Sequence, residues 1–114
     1  MKINCLIKER NFEIELADSA AGKAFLDLLP LSLSMQELNG NEKYRYLDAT
    51  LPSDPKNPGA IEEGDFMLFG DSCIVLFYKS FSTSYSYTRL GKLCNLEGYQ
   101  EALGAGDVQV TFSK

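Results

Sequence analysis

Period-two alternation recurs in short bursts along this chain, and it limits the fold more than any other feature. Ile3, Cys5 and Ile7 alternate with Asn4, Leu6 and Lys8. Phe12, Ile14 and Leu16 alternate with Glu13 and Glu15, and Leu31, Leu33 and Met35 with Ser32, Ser34 and Gln36. Val108, Val110 and Phe112 repeat the pattern near the end. One apolar residue in two marks a strand with one face in a core. Glu9-Arg10-Asn11 is short enough for a hairpin, and Asn39-Gly40-Asn41 is a turn signal before the extended-looking Tyr44-Arg45-Tyr46-Leu47. Residues 66–69 and 73–78 are dense apolar runs around Gly70-Asp71-Ser72 and read as a buried hairpin at the heart of the sheet. Leu90-Gly91-Lys92-Leu93 is a further short strand.

Two helices interrupt the strands. Ser19 offers an N-cap, and Ala21, Phe25, Leu28 and Leu29 share one helical face before Pro30, which predicts a helix over 19–29. Asn95 can cap a second helix over 96–103, carrying Leu96, Tyr99 and Leu103 and ended by Gly104. Pro52, Pro55 and Pro58 make residues 51–59 a stiffened loop. Many short strands with few helices predict a mainly β chain closed into a barrel or stacked as a sandwich. At 114 residues the chain fits a single domain over 1–114 with a core of its own.

Charge and composition exclude several function classes. The net charge is −5 and no basic patch is visible, which argues against nucleic acid and against anionic membrane surfaces. No run approaches the roughly 20 apolar residues of a membrane span, so membrane insertion is not expected. The cytoplasm is the favoured compartment; export or lipid anchoring stays open should a leader precede Met1. The three cysteines, Cys5, Cys73 and Cys94, show no C-x-x-C spacing, and Cys5 and Cys73 sit in apolar runs as core residues would.

There is no histidine. That removes Ser-His-Asp and Cys-His catalysis, the commonest metal ligand and the usual base near neutral pH. A Ser-Lys pair using Lys79 has no spacing to support it. Glu62, Glu63, Asp65 and Asp71 read as a solvated strand entrance, without EF-hand spacing, and the glycines form no phosphate cradle. No catalytic residue, metal site or cofactor is expected.

The aromatic residues are more informative. Tyr44, Tyr46, Phe69, Tyr78, Phe81, Tyr85 and Tyr87 fall in or near three strands that look adjacent. Tyrosine joins an apolar body to a polar tip, which suits a ligand or peptide groove; barrel core and edge positions are the alternative. Residues 80–88 place Phe81, Thr83, Tyr85 and Tyr87 on one parity and serines on the other, so an extended chain shows an aromatic and a hydroxyl face.

Asn39-Gly40-Asn41-Glu42-Lys43-Tyr44, Gly64-Asp65-Phe66-Met67-Leu68-Phe69 and Phe81-Ser82-Thr83-Ser84-Tyr85-Ser86-Tyr87-Thr88-Arg89-Leu90-Gly91, with Ala24-Phe25-Leu26-Asp27-Leu28-Leu29-Pro30, together resemble a bacterial family of short cyclophilin-like domains with no established function. The resemblance covers nearly the whole chain. It implies a closed barrel of about eight mostly antiparallel strands with a helix plugging an end. True cyclophilins are prolyl isomerases whose site carries an arginine on a Phe-His-Arg strand, a glutamine and a histidine. The counterpart strand here, residues 31–38, has no arginine, and Arg45 and Arg89 are the only candidates to replace that charge. A shared fold does not transfer an activity.

The expected function is a binding module that holds a small molecule or an extended peptide on an aromatic groove, with a weak or divergent prolyl isomerase as the alternative. The candidate ligand-binding residues are Met35, Tyr44, Tyr46, Phe69, Phe77, Tyr85, Tyr87 and Arg89. Arg89 ends the aromatic segment, where it can stack on a tyrosine, hold a ligand carboxylate, or bridge to Glu62, Glu63 or Asp65. The oligomeric state is not legible in the sequence.

Overall fold

Each burst of alternation becomes one strand of a closed barrel. The computed structural model describes residues 1–114. In chain order it contains β1 (Lys2–Ile7), β2 (Arg10–Leu16), α1 (Ala20–Asp27), β3 (Leu31–Leu38), β4 (Glu42–Tyr46), β5 (Ala60–Ile61), β6 (Asp65–Phe69), β7 (Cys73–Phe77), β8 (Phe81–Ser82), β9 (Thr88–Leu93), α2 (Tyr99–Leu103) and β10 (Val108–Ser113). The barrel runs β1-β10-β3-β4-β7-β6-β9-β2 and back to β1, antiparallel throughout. Closure leaves none of these eight strands with an open edge. Neither helix is long and apolar enough to cross a membrane.

The barrel interior is filled by the alternating residues that the pattern marked. Ile3, Cys5, Ile7, Phe12, Ile14, Leu33, Met35, Val110 and Phe112 are all buried there. The helices close opposite ends. α1 follows β2 and precedes β3, and it drives Phe25 against Phe66 at 5.1 Å and Phe112 at 5.3 Å, edge to face. α2 follows β9 at the other end, where Tyr99 meets Phe12 at 5.9 Å and donates its hydroxyl to the Phe77 carbonyl at 3.0 Å. Burying each such side chain is worth roughly 1.5–3 kcal/mol. Gly91 permits β9 to lie against β2, because a Cβ there would sit 2.5 Å from the Glu15 carbonyl oxygen.

β6 and β7 explain the dense apolar runs. Phe66, Leu68, Ile74 and Leu76 face the barrel core, while Met67, Cys73, Val75 and Phe77 on the alternate parity are buried too. A strand buried on both faces loses its alternation. The outer cover is a separate two-stranded sheet of β5 and β8, which brings Ile61 and Phe81 onto Met67, Val75 and Phe77.

Three expectations about element boundaries are corrected. α1 ends at Asp27, short of Leu29, since the Leu28 and Leu29 amides already turn tightly onto Phe25 and Leu26 before Pro30. α2 begins at Tyr99 with Gly98 as its N-cap, and Asn95 instead accepts the Glu97 amide at 2.9 Å in a local turn. Residues 80–88 are not one extended segment with two faces. Only Phe81–Ser82 is strand before Thr88. Thr83 Oγ1 accepts the Tyr85 amide at 3.1 Å and bends the chain, leaving Tyr85 outside and Tyr87 buried.

Candidate ligand-binding cleft

The outer face of β4, β7 and β6 is a register-matched grid. Tyr46 pairs with Cys73 and Cys73 with Phe69; Tyr44 pairs with Val75 and Val75 with Met67; Glu42 pairs with Phe77. Cross-strand neighbours on one face lie about 5 Å apart, so these residues form one continuous surface. The β5–β8 sheet covers the Phe77 side of it. The remainder is open and forms a cleft of about 350 Å³, with Cys73 and Val75 in its lining.

Five aromatic side chains converge on this cleft: Tyr44, Tyr46, Phe69, Tyr85 and Tyr87. Tyr44 and Tyr46 stand perpendicular at 6.2 Å, and so do Phe69 and Tyr85 at 6.2 Å. Tyr87 lies 5.8 Å from Phe69 and 5.5 Å from Phe77, and it locks the corner between them. Its backbone is anchored to the proline-rich loop by bonds to Lys56 in both directions, each 2.9 Å. Tyr85, Tyr46 and Phe69 keep 64%, 59% and 41% of their surface exposed and line the cleft together.

One charge enters the cleft. Glu42, on the same parity as Tyr44 and Tyr46, is half-buried and belongs to none of the ion pairs of the fold. Burial, and secondarily the charge of Glu37, pushes its carboxyl up to about 6. Its influence reaches across the cleft. Burial first and then the Glu42 charge raise the Cys73 thiol to about 11 and lift the Tyr87 phenol above its ordinary value. Cys73 is therefore a neutral, unreactive lining group near neutral pH.

The structure brings together Tyr44, Tyr46, Phe69, Tyr85 and Tyr87 from the candidate set, and it leaves three members elsewhere. Met35 points into the barrel, fully buried, because its parity is that of Leu33. Phe77 has the right parity but lies fully covered beneath Phe81 and Tyr87. Arg89 turns away and bridges to the buried carboxylate of Asp65 at 3.3 Å, also donating to the Gly91 carbonyl. Arg45 is likewise outside the cleft, donating to the Ser34 carbonyl at 3.1 Å. Sequence reasoning missed Leu38, Asn39, Glu42, Cys73 and Val75 as lining residues. The i, i+2, i+4 spacing of Glu42, Tyr44 and Tyr46 was the signal that pointed to Glu42.

A second depression of about 400 Å³ lies behind Tyr87, between the start of α1 and the proline-rich loop. Its charged residues are already engaged: Lys56 with Asp54 at 3.7 Å, and Arg89 with Asp65. Tyr87 is the only aromatic side chain in its wall. The cleft on β4, β7 and β6 has the greater convergence of recognition groups. No group of three or more Cys, Asp or Glu side chains is placed to hold a metal ion.

Comparison with known proteins gives the chain its relatives. Residues 5–113 match the Cyclophilin-like family. No curated protein matches the chain. Among solved structures, the solution structure of the hypothetical protein AF2241 from Archaeoglobus fulgidus is similar, with a TM-score of 0.62 over 99% of this chain and 93% of that one. At 16% identity the likeness concerns the fold alone.

Proposed function

The chain belongs to the cyclophilin-like family, and on that premise we propose that it is a binding module whose ligand, a small molecule or an extended peptide, sits in the aromatic cleft on β4, β7 and β6. One observation carries this reading: Tyr44, Tyr46, Phe69, Tyr85 and Tyr87, from three separate parts of the chain, line one concave surface of ligand size. Large rings held at the surface around a cavity are what a ligand-free recognition site needs, since they supply contact area at low entropic cost.

Binding is favoured over prolyl isomerisation by the placement of the two arginines. A cyclophilin-type mechanism uses a cationic donor beside the apolar slot to lower a barrier of roughly 20 kcal/mol. Arg45 and Arg89 both donate to groups outside the cleft. The charge that does face the cleft is negative.

The test is a thermal-shift screen with metabolites and proline-containing peptides, followed by the same screen on Tyr44→Ala and Phe69→Ala. A specific ligand raises the melting temperature by mass action. Hits that stabilise the native protein and not the two variants support the reading. Hits that stabilise all three alike refute it.

A further inference from the structure

We infer that the cleft takes a small organic cation of the alkylammonium class, held between its aromatic rings and the carboxylate of Glu42. The inference rests on the binding reading above and adds the chemical class of the ligand.

Charge complementarity is the first argument. Glu42 is the one ionisable carboxyl group lining the cleft, and no lysine or arginine lines it. The nearest basic side chains in sequence are committed elsewhere. Lys43 points through the barrel end, fully buried, with its ammonium on Glu37 at 2.9 Å, the Gly104 carbonyl at 2.8 Å and the Gly106 carbonyl at 2.6 Å. Arg45 is held by the Ser34 carbonyl. By contrast Glu37, Glu62, Asp65 and Glu15 all have cationic partners within the chain. A half-buried carboxylate costs free energy unless something neutralises it. No cation of the chain supplies that charge to Glu42, and a cationic ligand would.

Ring geometry is the second. Tyr44 stands two residues along β4 from Glu42, and Tyr87 packs at 5.5 Å on Phe77, the cross-strand partner of Glu42, so these two cleft rings are the ones nearest the carboxyl. Ring faces carry negative quadrupole charge, and rings beside a carboxylate favour a weakly hydrated cation. A metal ion needs several hard ligands, and the lining offers one carboxyl and one amide among aromatic and apolar groups. An alkylated ammonium meets both requirements, since its carbons match the rings and its charge matches Glu42.

Size and topology are the third. About 350 Å³ lies at the small end of ligand pockets. β4, β7 and β6 are each hydrogen-bonded on both sides within the barrel, so no backbone edge lies open beneath the cleft for an extended peptide to join. A small molecule is the better occupant.

Ionisation adds a pH signature. Glu37 on β3, Cys73 on β7, Tyr78 after β7 and Tyr87 before β9 are the titratable groups that share the field of Glu42. The chain has no histidine, so the change of charge at the cleft near pH 6 belongs to Glu42. A cation selects the ionised form, and its affinity rises as pH increases through about 6.

The experiment compares choline with its uncharged isostere 3,3-dimethylbutan-1-ol by calorimetric or NMR titration, on the native protein and on Glu42→Gln, at about pH 7.5 and about pH 5. Circular dichroism checks that the variant is folded. The expected result is that choline binds the native protein at least about tenfold more tightly than the isostere. That margin is lost in Glu42→Gln and falls at the lower pH. If the isostere binds as tightly as choline, the cation inference fails and the cleft reading survives. If a lysine-containing peptide binds and choline does not, the small-molecule assignment is overturned. If neither probe nor peptide binds and the ligand screen gives no cleft-dependent hit, both readings fall.

Discussion

Glu42 and Tyr87 come from distant parts of the chain, and the charge of the first helps to lift the phenol pKa of the second across one shared cleft. Strand β4 supplies the carboxylate, and the segment tied to the proline-rich loop supplies the ring. A charge left unpaired beside aromatic surface is costly to the fold, and sites of function are where such cost is found.

That cost is measurable as stability. The Glu42 carboxyl titrates at about 6 in the folded protein against an ordinary 4.5, so the folded state binds the extra proton between those values. Ionised Glu42 therefore destabilises the fold above about pH 6, and the effect vanishes below 4.5. Glu42→Gln is expected to gain about 1 kcal/mol in urea denaturation at neutral pH, after allowance for the exposed part of the side chain. The gain should shrink to nothing in acid.

Lys43 plays the opposite part. Its ammonium is fully buried and uses three acceptors, tying β4 to Glu37 and to the turn after α2. Tyr78 donates to the same Glu37 carboxylate at 2.6 Å. Lys43→Met strands these acceptors and should cost about 3 kcal/mol in chemical denaturation. A loss below about 0.5 kcal/mol would show the network to be incidental.

Gly91→Ala tests the barrel seam. The added methyl meets the Glu15 carbonyl oxygen at 2.5 Å, on backbone that cannot move without breaking the β2–β9 ladder. The expected cost is about 1–3 kcal/mol, read from the denaturation midpoint.

Most of the barrel was legible because its cause is local. A strand with one face in the core must alternate, and the residues of β1, β2, β3 and β10 do so. The cleft was only partly legible because its cause is tertiary. Parity placed Tyr44 and Tyr46 on one face, but parity cannot say which face a cover will bury. Phe77 shares the outward face and is lost under β8, whereas Tyr46 stays open. Met35 failed for a simpler reason, since it shares the inward parity of Leu33. Arg89 depended on whether Asp65, beside the β6–β9 bulge, came within reach, and no local pattern encodes that.

Arg89→Ala separates scaffold from site. It removes a bond to the buried Asp65 carboxylate and should lower stability by about 1–3 kcal/mol. It should leave the affinity of any cleft ligand within about twofold, since Arg89 lies outside the cleft lining.

The most direct test of the cleft is backbone amide chemical-shift mapping during titration with choline, or with whichever hit the stability screen returns. The account predicts shifts concentrated at Glu42, Tyr44, Tyr46, Phe69, Cys73, Val75, Tyr85 and Tyr87. Shifts concentrated instead at Ser19, Ala20, Pro52-flanking Ser53, Lys56 and Arg89, around the second depression, would contradict it.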